Sequence, residues 1–161
     1  MICRVALIKD SEAIRAIYNA EVLGSTATLD MLERTVEDQA LWMAEHDGPH
    51  CAVVAEDESQ VVGFGSLSPF RDRPGYSSTV EDSVYVAPSH RGRGAGRLIL
   101  GELVRLGGAH GFHSIIARIG GGGEPSIALH KTCGFEIVGI ENQVGRKHGK
   151  WISVTVMQKM L

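Results

Sequence analysis

Between Pro88 and Leu103 the sequence reads PSHRGRGAGRLILGEL, with arginines at 91, 93 and 97 set among glycines at 92, 94 and 96. An apolar helical pattern follows at once. The first amides of a helix lack intrahelical partners and sit at the positive end of its dipole. Glycine lets such a backbone approach an anion without a Cβ in the way, and an arginine can fork onto a phosphate. A strand, a glycine-rich turn and a helix in that order therefore make a phosphate cradle. The competing reading is a solvated basic turn whose glycines serve a tight cap. The stretch lacks the Gly-Lys-Ser/Thr ending of a nucleotide-triphosphate loop, and a dinucleotide fingerprint would need glycine where Arg97 stands.

The residues just upstream, TVEDSVYV, carry a second chemical signal. Strand alternation puts Thr79, Glu81, Ser83 and Tyr85 on one face and Val80, Val84 and Val86 on the other. Glu81 thus stands on the strand that leads into the loop, where a carboxylate can take a proton from an ammonium, directly or through a water. An ordinary salt-bridged strand glutamate is the alternative. Asp82 falls on the valine face, a place that alternation does not explain for a carboxylate unless a bulge rotates it away. Arg71 and Arg73 share the loop ahead of this strand, where a solvated loop arginine is the ordinary reading for each.

These groups need a scaffold. Cys3–Leu7 is strand-like, and Asp10 or Ser11 can cap a helix with a stripe of Ile14, Ile17 and Tyr18. Residues 24–30 read as a loop, and a second helix runs from about Thr35 to Glu45. Cys51–Ala55 and Val61–Leu67 form a hairpin across EDESQ. Thr79–Val86 is a strand closed by Pro88. The next helix carries Ile99, Leu103 and Leu106 and is expected to stop at Gly107-Gly108. Ser114–Ile119 is a strand, Pro125 opens a short helix ending at Gly134, and strands near Glu136–Glu141 and Trp151–Met157 flank VGRKHGK. The order β-α-α-β-β-β-α-β-α-β-β implies a mixed sheet with helices packed on it, in a single domain spanning 1–161.

Apolar residues make up 43% and charged residues 22% of the 161, which fits a globular chain. A net charge of −3 argues against a general nucleic-acid or anionic-membrane surface, so any basic site is local. Cys3, Cys51 and Cys133 are odd in number and widely spaced, implying neither a disulfide framework nor a zinc site. No metal is expected. The N-terminus lacks the apolar core of a signal peptide and no run approaches a membrane span, so the cytoplasm is expected.

The loop resembles that of the GNAT acetyltransferases. Arg91-Gly92-Arg93-Gly94-Ala95-Gly96 is similar to their Arg/Gln-x-x-Gly-x-Gly/Ala motif, SVYVAPSHRGRGAG to their strand-loop-helix core, and PSIALHKTCGF to their second cofactor motif, which holds Ser126. The resemblance implies a mixed α/β fold: a mostly antiparallel sheet with one splayed parallel pair, here Thr79–Val86 and Ser114–Ile119, and flanking helices. It also implies acetyl-CoA between those strands. The pyrophosphate would rest on Arg91–Arg97, and the thioester and pantetheine on Val84, Tyr85 and Val86, with a backbone N–H of Val84 or Val86 holding the oxyanion.

A narrower resemblance joins SPFRDRPGYSSTVEDSVYV and GRKHGKW to the phosphinothricin and methionine sulfoximine N-acetyltransferases. It implies Glu81 as general base, Arg71, Arg73 and Tyr76 near the substrate, and His148 as a second active-site group. His130 stands where many members carry a tyrosine that protonates the departing thiolate; a packing histidine is the alternative. Leu29 replaces an aromatic pocket residue of the herbicide-detoxifying members, and IGGGGEPS offers only glycines and Glu124 where an asparagine is usual. The expectation is an acetyl-CoA-dependent N-acetyltransferase, a homodimer, acting by direct transfer on the α-amine of a small amino acid or analogue. A peptide or protein N-acetyltransferase and a non-catalytic CoA-binding sensor remain as alternatives.

Overall fold

The computed structural model describes residues 1–161. Its elements are β1 (Ile2–Val5), α1 (Ser11–Gly24), α2 (Val36–Glu45), β2 (Ala52–Asp57), β3 (Gln60–Pro69), β4 (Thr79–Val86), α3 (Ala95–Ala109), β5 (Ser114–Gly120), α4 (Glu124–Thr132), β6 (Glu136–Lys147) and β7 (Lys150–Met160). The strands form one sheet in the order β1-β2-β3-β4-β5-β7-β6, antiparallel throughout except for the β4–β5 pair. This is the mixed sheet that the element order implied, with the one parallel pair that the family resemblance implied.

Alternation along the strands gives the sheet two apolar faces. Val53, Leu67, Val80 and Ile115 pack with Ile99, Leu100 and Leu103 of α3, while Val54, Phe64 and Tyr85 pack with Ile14, Tyr18 and Val22 of α1 and Met43 of α2. Close approach of α3 depends on small residues in β3. A Cβ built at Gly65 would lie 2.5 Å from Ile99 Cγ2 and 2.8 Å from Ser83 O.

Local chemistry sets the helix ends. Thr35 caps α2 by accepting from the Asp38 amide at 3.0 Å, and the Asp38 carboxylate accepts from the Thr35 amide at 3.1 Å. Gly107-Gly108 does not stop α3. The helix continues to Ala109, because Gly107 is a packing residue: a Cβ there would meet Leu161, Ile115 and Leu67. The stop comes at Gly111, at φ +83, where Phe112 N–H donates to Gly107 O and Gly111 N–H to Gly108 O. That pair of bonds is a Schellman cap.

Two further expectations change. The β3–β4 register is continuous from Gly63↔Val86 to Pro69↔Val80, so no bulge rotates Asp82; it stays on the valine face and is buried there. The last hairpin is longer than its apolar pattern suggested, with only His148 and Gly149 between β6 and β7. Both turn residues have positive φ, as the tight hairpin turn demands.

Candidate active site

The site begins where the parallel pair comes apart. Pairing of β4 with β5 runs from Thr79↔Ser114 to Asp82↔Ala117 and stops, although β4 continues to Val86 and β5 to Gly120. Ala87 N–H donates to Val62 O of β3. Because successive amides of a strand point to opposite sides, the N–H groups of Val84 and Val86 face the β5 side, where the partner strand has moved away. A cleft of about 350 Å³ lies there, lined by Leu29, Glu81, Val84, Tyr85, Ser126 and His130 among others.

At the end of β4 the chain enters the arginine-glycine turn. Gly92 and Gly94 adopt φ +71 and +92, which L side chains rarely reach, and Gly94 is the N-cap of α3. Leu98 N–H makes the first bond of the helix, to Gly94 O at 3.1 Å, so the amides that precede it in the turn have no helical partner. These amides, with the free Val84 and Val86 amides, fit a pyrophosphate followed by an extended amide-bearing arm. Arg91 is already engaged: its Nε donates to Val86 O at 3.1 Å and its Nη2 pairs with Glu21 of α1. Arg93 lies 3.6 Å from Asp57, and Arg97 extends from the first turn of α3.

Glu81 is half-buried in the cleft wall on the face toward α1 and α2, and no side chain or amide donates to its carboxylate. Burial pushes its carboxyl above the ordinary 4.5; the Arg118 charge opposes this, while Asp82 and Glu141 add to it. Arg118 is itself held by an ion pair with Glu141. A carboxylate that is partly desolvated and unpaired keeps its lone pairs for an incoming proton.

His130 reaches the cleft from α4 on the opposite, valine face. Its Nδ1–H donates to Ser126 O at 2.7 Å, and its Nε2 lies 3.0 Å from Asp82 Oδ2. Burial opposes charge on the imidazole, but the Asp82 hydrogen bond and charge outweigh it and the pKa rises above the ordinary 6.5.

Leu29 lines the cleft with its side chain seated on Gly145 of β6, whose built Cβ would lie 2.7 Å from Leu29 Cδ1. The glycine run that ends β5 and leads into α4 is fastened to β7, Gly121 N–H donating to Ser153 O, and packs closely on the α1–α2 loop, where a Cβ on Gly121 would sit 2.0 Å from Thr26 Oγ1. Arg71, Arg73 and Tyr76 are not among the cleft-lining residues. They lie exposed on the β3–β4 loop, with the Arg71 guanidinium 4.9 Å from the Phe70 ring centroid and 5.6 Å from that of Tyr76. His148 is exposed in the β6–β7 turn, also outside the cleft lining. Sequence reasoning missed Asp82 as a site group and the buried Lys147, whose Nζ donates to Thr28 O at 2.8 Å and ties β6 to the cleft wall. It also missed Tyr18, whose hydroxyl joins Thr28 and Asp30 at the cleft's edge. No cluster of three or more His, Cys, Asp or Glu stands ready for a metal, and no helix is long and apolar enough to cross a membrane.

A splayed parallel pair, a glycine-rich turn at a helix N-terminus and a carboxylate in the gap define an acyl-thioester transferase site. The chain belongs to the GNAT acetyltransferase family, whose profile matches residues 13–135 and whose acetyl donor is acetyl-CoA. It is 36% identical over 157 residues to an L-methionine sulfoximine/L-methionine sulfone acetyltransferase of Pseudomonas paraeruginosa, covering 96% of this chain and 91% of that one. A Sinorhizobium meliloti phosphinothricin acetyltransferase solved with acetyl-CoA is similar at a TM-score of 0.96 and 40% identity, over 99% of this chain and 87% of that one. A Brucella melitensis structure, named as a ribosomal-protein-alanine N-acetyltransferase, matches at 0.97 and 39% identity over the whole of both chains.

Proposed function

We propose that the protein transfers the acetyl group of acetyl-CoA directly to the α-amine of a small amino acid or amino-acid analogue of the methionine sulfoximine, methionine sulfone or phosphinothricin type. One observation carries the reading: the unpaired, half-buried Glu81 carboxylate stands in the wall of the cleft beside the point where β4 and β5 part. Acetyl-CoA supplies an activated acyl group with a thiolate leaving group. The glycine turn from Gly92 to Gly96 and the start of α3, with Arg93 and Arg97, hold its pyrophosphate, while Arg91 braces the turn through Glu21 and Val86 O. Glu81 takes the proton of the acceptor ammonium and leaves a nucleophilic amine. The Val84 or Val86 amide donates to the acyl oxygen as negative charge grows there. His130 stands on the other face, where the thiolate leaves. Leu29 shapes the acceptor side; Arg71, Arg73, Tyr76 and His148 are assigned to acceptor recognition on the subgroup resemblance alone.

We assign the protein, as one domain, to the cytoplasm, which its three free cysteines support. We assign it as a homodimer, which the exposed apolar row Ile137, Val138, Ile140 and Val144 on edge strand β6 supports. A second reading, acetylation of a protein amino group, is favoured by the name of the Brucella melitensis relative.

Acetyl-CoA-dependent thiol release across free amino acids, the named analogues, polyamines and alanine-terminated peptides separates the readings. Turnover confined to α-amino acids with a polar γ-group is expected. Turnover on peptides alone gives the second reading, and tight acetyl-CoA binding with no acceptor leaves a sensor.

A further inference from the structure

We propose that Asp82 and His130 form a single acid that holds one shared proton behind the cleft and delivers it to the thiolate as acetyl transfer completes. The inference rests on the acetyl-transfer reading above, and it assigns a role to Asp82.

The proton count follows from the hydrogen bonds. Ser126 O can only accept, so His130 Nδ1 carries a hydrogen. Nε2 faces Asp82 Oδ2 at 3.0 Å, and an unprotonated Nε2 beside a bare carboxylate would oppose two lone pairs. One proton therefore lies between them, whether as imidazolium with carboxylate or as imidazole with carboxylic acid, and the pair is neutral overall. Asp82 and His130 are 6% and 3% exposed, so bulk water does not compete for that proton. The Phe135 ring, edge-on with centroids 5.0 Å apart, helps hold the imidazole. The other titratable groups lining the cleft are Glu81 and Arg118, with the hydroxyls of Tyr18 and Tyr85.

This is not a closed structural pair. Asp82 Oδ1 is buried without a hydrogen-bond partner, an arrangement that is unfavourable unless something repays it. Both residues line the same cleft as Val84 and Ser126, on the face of β4 opposite Glu81. The site thus has a proton acceptor on one face and a proton donor on the other.

The step balances. Glu81 takes the ammonium proton and passes it to solvent; the free amine forms the N–C bond, its second N–H proton goes to Glu81, and the C–S bond breaks with its electron pair on sulfur. Sulfur then takes the shared proton, leaving neutral imidazole and carboxylate, and solvent restores the proton while Glu81 returns its own. Asp82→Asn removes the means of holding the proton while keeping the shape.

With Asp82→Asn, kcat falls by about 10²-fold or more, the range for a lost general acid, while the KM for acetyl-CoA stays within about twofold. The alkaline limb of the kcat–pH profile reports loss of the pair's proton; it lies above 6.5 in the wild type and moves down in the variant, where only the Ser126 carbonyl hydrogen bond opposes burial of the imidazole. NMR titration of the His130 ring, which needs no turnover and can be read on the wild-type protein, shows the same ordering. A wild-type His130 that titrates below 6.5, or a folded variant with unchanged kcat and alkaline limb, overturns the proposal alone. Wild-type protein that acetylates no amine overturns the acetyl-transfer reading, and this proposal with it.

Discussion

Replacing Glu81 by glutamine removes one proton acceptor and almost no volume, so its consequences follow from the environment of that carboxylate. The group is half-buried, makes no hydrogen bond and has its pKa raised by burial against the opposing charge of Arg118. As the base that frees the amine, it contributes about 10²- to 10⁴-fold, or about 3–5 kcal/mol of barrier. Glu81→Gln should lower kcat/KM for the acceptor by that factor and leave the KM for acetyl-CoA unmoved, since no part of the glycine turn is touched. Wild-type kcat/KM should fall as pH drops through a midpoint above 4.5, because protonated Glu81 cannot accept, and the variant should lose that limb. Stability moves the other way. A carboxyl whose folded pKa lies above its unfolded value is destabilising once pH passes both, so the amide should match or exceed wild-type Tm at pH 7. Steady-state thiol release between pH 4.5 and 9, paired with thermal unfolding, gives both readings. A Glu81→Gln protein that retains activity within threefold, acid limb included, would refute the assignment of the base.

Other consequences concern packing. Gly65→Ala would push a Cβ into Ile99 and the Ser83 carbonyl, costing about 1–3 kcal/mol in urea unfolding and raising the KM for acetyl-CoA as α3 shifts. Gly145→Ala meets only the flexible end of Leu29, so stability should barely change. Leu29 must then swing into the cleft, and the acceptor KM should rise about tenfold with the acetyl-CoA KM unaltered.

Much of this site is readable from local sequence, because its parts are local. Alternation in TVEDSVYV places Glu81 and Tyr85 on one face and the valines on the other, and the glycine turn reveals itself by spacing. What escapes is whatever depends on a distant partner. Asp82 looks misplaced among valines until His130, 48 residues away, comes to meet it. Gly107 reads as a helix stop because small size serves a cap and a tight contact equally well. Arg91 reads as a free phosphate ligand, whereas Glu21, 70 residues earlier, already holds its guanidinium. Insertion of β7 between β5 and β6 is likewise a matter of long-range pairing, which no local pattern encodes. Arg71, Arg73, Tyr76 and His148 are carried by motif alone, and the fold leaves them on a loop and a turn outside the cleft lining.

The central claim is direct transfer from acetyl-CoA to an α-amine, and mass spectrometry of a mixture of protein, acetyl-CoA and methionine sulfone tests it. The account predicts N-acetylated acceptor, one free CoA thiol per acetyl moved, and protein of unchanged mass even when acetyl-CoA is added without acceptor. Acetyl groups accumulating on the protein, or methionine sulfone left untouched while an alanine-terminated peptide is acetylated, would contradict it.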